Sequence, residues 1–160
     1  MNLKPIGVIH SPNKQEVGTP IQPRWAEHIE GRVEIFPEYA AGLKDLIGFE
    51  RVWLMYWFDR AKQSELLVKP YLDNALRGVF ATRAPCRPNP IGLSTVRLLK
   101  IEGRVLYVAG LDALDQTPLL DIKPYAPEFD CYPVERTGWL GQCRSTQTTA
   151  DHRFSKPQTI

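Results

Sequence analysis

Three prolines, Pro85, Pro88 and Pro90, fall within six residues of the segment GVFATRAPCRPNPIGLS, residues 78–94. Each fixes its own φ, removes a backbone donor and biases its predecessor toward extended backbone. Neither a helix nor the interior of a hydrogen-bonded strand tolerates that spacing, so residues 83–92 read as a loop. It is a stiff loop, which loses less entropy on ordering than a Gly/Ser loop would. Whatever fold the chain adopts must therefore bring regular elements to both ends of this rigid connection.

Those elements are mainly strands. Ile6–His10 is a short apolar run, and Gly31–Phe36 alternates Val33 and Ile35 with Arg32 and Glu34. Val52–Phe58 is the longest uninterrupted apolar run, β-branched and aromatic, and reads as a central strand. Gly78–Thr82 also reads as a strand. Leu93–Ile101 and Arg104–Ala109 flank Glu102-Gly103 as a hairpin. There, Leu99 and Leu106 break the alternation of Val96, Leu98, Val105 and Tyr107. Burial on both faces explains that, as in a closed barrel or a sheet packed on two sides. One helix is predicted from Pro37 to Gly48, with Pro37 and Glu38 in its first turn and Tyr39, Leu43 and Leu46/Ile47 at helical spacing. Residues 13–28 and 115–130 read as loops. Residues 141–160 form a polar tail, with Trp139-Leu140 and Phe154 as docking points. No strand-helix alternation is present, which argues against a doubly wound parallel sheet.

Composition narrows the class. With 160 residues, 43% hydrophobic and 24% charged, the chain can bury one core without staples. No apolar run approaches the ~18 residues of a membrane span. The start, MNLKPIGVIH, lacks the features of a secretory signal. Cys86, Cys131 and Cys143 are odd in number and contain no CxxC, so a reducing cytoplasm is expected, with no zinc or disulfide framework. The formal net charge of +2 is unevenly spread. Residues 60–104 carry 9 basic and 3 acidic side chains, whereas 1–59 and 105–160 are each net −2. A basic block of this kind hints at an anionic partner.

Two segments carry candidate chemistry. On the proline-stiffened loop, Arg83, Arg87 and Asn89 form a rigid set of donors. Such a set grips a carboxylate or phosphate, or else pairs with neighbouring carboxylates on an ordinary surface loop. In LDALDQTPLLDIKPYAPEFD, residues 111–130, the acidic side chains Asp112, Asp115, Asp121 and Asp130 recur among prolines. Their spacing fails the EF-hand pattern, and no nearby His or Cys supplies a softer ligand, so no metal is expected. Singly they read as solvated loop carboxylates. Asp121 is the exception: between Leu120 and Ile122 it needs a partner, Lys123 or a loop arginine. Dinucleotide, phosphate-loop, zinc-protease and serine-hydrolase motifs are all missing.

ATRAPCRPNPIGLS and DQTPLLDIKPY resemble the paired signatures of the TrmO family, also called YaeB or TsaA-like. IGVIHSP, TPIQPR, GRVEIFPEYAAGLKDLIGFE and ADHRF extend the likeness over nearly the whole chain. The resemblance implies a mainly β protein: a single-sheet β-barrel with one or two helices, spanning residues 1–140, which forms a homodimer. It implies S-adenosylmethionine as cofactor, bound near the subunit interface, and tRNA as partner. The implied reaction is methylation at N6 of threonylcarbamoyl-adenosine beside the anticodon, at position 37. Carried onto this chain, the cofactor pocket would involve Pro20, Ile21, Gln22, Phe58 and Asp59. From the arginine loop it would take Arg83, Arg87, Asn89 and Leu93, and from the second signature Asp115, Gln116, Thr117 and Pro118. Asp121 would orient the acceptor amine or an arginine. Lys62, Lys69, Arg77, Arg97, Lys100 and Arg104 would meet RNA phosphates. A regulatory module sensing an adenosyl ligand, or a methyltransferase of a small metabolite, would fit the same barrel. Two departures stand out: Glu50-Arg51 replaces a Ser-His pair, with Asp59 where the following pattern ends in His, and Gln116 replaces the glycine of a DGTP turn.

Overall fold

The structure is a computed structural model and describes residues 2–61 and 63–155. Six strands close into an antiparallel barrel: β1 (Gly7–His10), β2 (Glu30–Ile35), β3 (Arg51–Trp57), β6 (Ile91–Glu102), β7 (Val105–Ala109) and β8 (Thr117–Pro124). Their order around the barrel is β1-β2-β7-β6-β3-β8. Between β3 and β6, the pairs β4 (Leu67–Val68) and β5 (Arg77–Gly78) make a small separate ribbon.

Period-two alternation fills the barrel. Val52, Leu54 and Tyr56 of β3 point inward, as do Val96 and Leu98 of β6 and Leu106 and Val108 of β7. Val33 and Ile35 of β2, Ile9 of β1 and Leu119 of β8 complete the core. The irregular alternation in the β6–β7 hairpin has a local cause. The register shifts between Leu98 and Lys100, so Leu99 bulges out and is exposed, while Leu106 rather than Val105 turns inward. A second shift lies between Met55 and Tyr56 in the β3–β8 pair. Bulges bend strands and increase twist, which a small barrel needs in order to close.

Three expectations are corrected. The loop predicted over 115–130 contains β8, which pairs with both β1 and β3 and closes the barrel. Its prolines stand near its ends, Pro118 opposite Val8 and Pro124 opposite Val52, leaving the donors of Leu119–Lys123 for the ladder. The helix predicted over 37–48 is two 3-10 segments, Pro37–Leu43 and Leu46–Gly48. Lys44 is extended and Asp45 is left-handed at φ 66°, which breaks the turn between them. The one α-helical segment among the described residues is a single turn, α1 (Pro127–Asp130). Finally, the strand predicted at Gly78–Thr82 persists only as Arg77–Gly78, followed by a 3-10 turn at Val79–Ala81.

The C-terminal segment docks. Ala150 N donates to Thr19 O at 2.7 Å, Gly18 N to Ala150 O at 2.9 Å and Ile21 N to Thr148 O at 3.0 Å. Phe154 is buried edge-on against Tyr71, with ring centroids 5.0 Å apart, in a second small core with Val68, Val79 and Cys86. That core lies beneath the proline loop and holds it against the barrel mouth.

Candidate active site

At that mouth lies a cleft of about 290 Å³. Its walls come from residues 16–22, from the end of β3 and residues 58–61, from the proline loop, from the start of β6 and from residues 112–114. Ala150 and Phe154 of the C-terminal segment close one side. The volume sits at the lower end of the ~300–1,000 Å³ typical of small-molecule sites.

Most of the residues expected to hold a cofactor meet here although they are far apart in sequence. Pro20, Ile21 and Gln22 face Phe58 and Asp59, with Arg83, Arg87 and Leu93 across the cleft and Thr117 beside them. Asn89, Asp115, Gln116 and Pro118 are not among the lining residues. The two loop arginines differ in what they touch. Arg87 Nη1 donates to the carbonyls of Val79, Thr82 and Ala84, at 3.2, 2.9 and 3.3 Å, so it holds the loop's own shape. Arg83 Nη1 donates to Gln22 Oε1 at 2.7 Å, a side-chain contact that a ligand anion can replace.

Asp115 also acts locally. It accepts from Ser11 N at 3.0 Å and from Lys14 Nζ at 2.6 Å, and its carbonyl accepts from Arg60 Nη2 at 2.6 Å. Partial burial opposes its ionisation, but those donors outweigh it and hold its carboxyl below the usual range. Gln116 has φ 64°, the left-handed conformation that the glycine of a DGTP turn adopts without strain. Its Nε2 lies 3.0 Å from His10 Nδ1, and His10 Nε2 lies 3.1 Å from Glu34 Oε2.

The sequence gives little sign of the buried polar chain at the cleft floor. Tyr56 Oη lies 2.9 Å from Ser94 Oγ, and Ser94 Oγ donates to Asp112 Oδ1 at 2.5 Å. Serine has one hydroxyl proton, so Tyr56 must donate to Ser94. Burial pushes the Asp112 carboxyl up to about 6, against the Ser94 hydrogen bond, a hydrogen bond from its own backbone and the Arg83 charge. Burial, then the charge of Asp112, pushes the Tyr56 phenol far up, so it remains a neutral donor. Gly92 makes this packing possible: a Cβ there would lie 2.2 Å from the Tyr56 ring. Asp121, by contrast, is half exposed, pairs with Lys123 at 2.9 Å and does not line the cleft.

The expected RNA contacts are dispersed. Arg77 is bound to Asp73 at 2.6 Å, Lys100 to Glu102 at 2.6 Å and Arg104 to Glu34 at 2.7 Å. Lys69 and Arg97 are exposed, and Lys62 lies outside the described residues. No group of three or more His, Cys, Asp or Glu able to hold a metal ion occurs among the described residues. No helix among them is long and apolar enough to cross a membrane.

The cleft suits a zwitterionic ligand with a flat apolar part. Arg83 is placed for an anionic end, Asp112, Asp59 and Glu16 for cationic or hydroxyl groups, and Ile21, Phe58 and Leu93 for an apolar ring. Comparison with known proteins agrees. A probable S-adenosyl-L-methionine-binding protein of Pyrococcus abyssi is 56% identical over 137 residues, which are 86% of this chain and 74% of that protein. A tRNA (adenine(37)-N6)-methyltransferase of Mus musculus is 39% identical over 134 residues, 79% of this chain but 31% of the mouse protein. The crystal structure of TrmO from Pseudomonas aeruginosa superposes with a TM-score of 0.73 at 38% identity, covering 86% of this chain and 62% of that one. The model of the tRNA-methyltransferase O N-terminal domain matches residues 8–131, and the chain belongs to that family.

Proposed function

We propose that this protein is an S-adenosylmethionine-dependent methyltransferase acting on N6 of threonylcarbamoyl-adenosine at position 37 of tRNA, in the cytoplasm. The observation that carries this reading is the cleft that joins Arg83 of one family signature to the buried Asp112–Ser94–Tyr56 chain. When bound, S-adenosylmethionine supplies a methyl group already activated by its sulfonium, so alignment and pocket polarity are what the protein must add.

The chain's own residues then have distinct tasks. Arg83 holds the carboxylate of the cofactor's amino-acid end, exchanging its Gln22 contact for a charge-assisted pair. Phe58, Ile21 and Leu93 exclude water from the transfer path. Asp112 accepts the hydrogen of the acceptor nitrogen and would take its proton as the methyl group's bond to sulfur breaks and its bond to nitrogen forms, the cofactor leaving as a neutral thioether. Ser94, held by Tyr56, fixes the Asp112 carboxylate for that step. Asp121, outside the cleft, acts in the reaction only if a second subunit brings it to the site. A homodimer pairing over the start of β6, at Ile91 and Leu93, which line the cleft and are 37% and 45% exposed, would bring a second subunit to the site and leave Arg97 farther along the strand open.

The test is transfer of labelled methyl from S-adenosylmethionine to bulk tRNA, with and without the threonylcarbamoyl modification. Label entering only the modified tRNA is expected. The P. abyssi relative is named only for binding the cofactor, so a sensor module is the second reading. Cofactor binding without transfer to any RNA would favour it, and label entering a small molecule would identify a metabolite methyltransferase.

A further inference from the structure

Beside the cleft is a second groove of about 400 Å³, lined by Arg24, Arg51, Arg83, Thr95 and Tyr125 among others. Its chemistry is unusual. Arg51 of β3 stands directly opposite Arg97 of β6 in the antiparallel register. Like charges facing each other across strands destabilise a sheet, so the pair needs a compensating anion. The protein offers little: Glu27 Oε1 lies 4.0 Å from Arg51 Nη2, and the Glu27 side chain is 71% exposed. Among the described residues, Arg24 and Arg97 have no carboxylate partner. Three guanidiniums, those of Arg24, Arg51 and Arg83, thus line the groove with one loosely held carboxylate, Glu27, and the strand register sets Arg97 opposite Arg51. Tyr125, tilted at 56° against Trp53 with ring centroids 5.8 Å apart, adds an aromatic wall. Gln22 and Arg83 line both this groove and the cofactor cleft, so the two are continuous.

The geometry points to a phosphate site: the groove lined by Arg24 and Arg51, with Arg97 opposite Arg51 in the strand register, holds a phosphodiester of the RNA whose target nucleotide enters the cleft. This rests on the tRNA reading above and extends it to a defined path for the strand. Guanidiniums suit it because their planar forks bind phosphate oxygens bidentately. A phosphate seated between Arg51 and Arg97 also removes their mutual repulsion. Two of the three arginines arise in the first 59 residues, which are acidic overall, so a charge count along the chain hides the site.

The test compares wild type with the double variant Arg24→Gln/Arg51→Gln and with Arg97→Gln. Three ligands are titrated separately: tRNA over a range of salt, S-adenosylmethionine, and inorganic phosphate followed by thermal shift. The double variant is expected to bind tRNA about tenfold or more weakly, with a salt slope reduced by about 1 to 2, and to bind the cofactor as wild type does. Arg97→Gln is expected to weaken tRNA binding while its Tm stays level or rises, a combination that a merely structural arginine would not give. If wild type binds tRNA and the variants match it in affinity and slope, the groove is not the strand's path, and the methyltransferase reading stands untouched. If wild type does not bind tRNA, that reading fails, and inorganic phosphate decides the groove. Stabilisation of wild type but not of the double variant would show an anion site serving a smaller phosphorylated ligand, and no effect on either would overturn the proposal.

Discussion

Asp112 is the residue whose environment most constrains the chemistry. Its folded-state pKa of about 6 lies above the unfolded value near 3.8. Between those values the folded protein keeps a proton that the unfolded chain has released, so stability falls as pH rises through this window and stays lower above it. Asp112→Asn preserves the Ser94 contact and removes the charge. We expect it to stabilise the protein by roughly 1–2 kcal/mol at pH 8 and by almost nothing at pH 4, as read by denaturant titration at both values. Wild-type transfer should rise with pH through about 6 as the carboxylate forms. Arg83→Ala should weaken cofactor binding about tenfold or more, measured by calorimetry; unchanged affinity would remove it from the carboxylate grip. The sequence makes Arg83 conspicuous, because it opens a proline-stiffened motif. Asp112 is one of several recurring aspartates there, and in LDALD nothing sets it apart from a solvated loop carboxylate. Ser94, 18 residues away on β6, and Tyr56, on β3, come under it only when the barrel closes.

At the level of elements, the strands around the hairpin and β3 are legible because alternation and β-branched content survive in them. β8 is not, since Pro118 and Pro124 read as breakers and their tolerable positions depend on which neighbours they face. The 37–48 segment shows the opposite error: helical spacing is present, but Leu43 and Leu46 dock on the core from two separate turns. Gly92 is the clearest single-residue determinant of an element here, because it pairs with Tyr56 and lets that ring lie across β6. Gly92→Ala should cost about 1–3 kcal/mol by overpacking and should also disturb the Ser94–Asp112 bond. A chemical-denaturation midpoint unchanged from wild type would show that the ring moves aside freely.

The whole molecule joins a barrel to a second, smaller core through the proline loop. The C-terminal segment belongs to that arrangement, since Thr148–Ala150 bond to residues 18–21 and Phe154 lines the cleft. Phe154→Ala should therefore lower both stability, by about 2–4 kcal/mol, and cofactor affinity. A loss of stability with full affinity would separate the small core from the site. The basic block of residues 60–104 does not survive folding as a patch, because Asp73, Glu102 and Glu34 neutralise Arg77, Lys100 and Arg104. Charge that looked concentrated in sequence is dispersed, and the convergence of arginines beside the cleft is made by topology. The central claim is that this cleft transfers a methyl group to modified tRNA with Asp112 receiving the proton. It is tested most directly by single-turnover transfer from labelled S-adenosylmethionine to threonylcarbamoylated tRNA, comparing wild type with Asp112→Asn at matched cofactor occupancy. We predict label at position 37 with wild type and a rate lower by about 100-fold in the variant. Equal rates, or no label in the wild-type reaction, would contradict it.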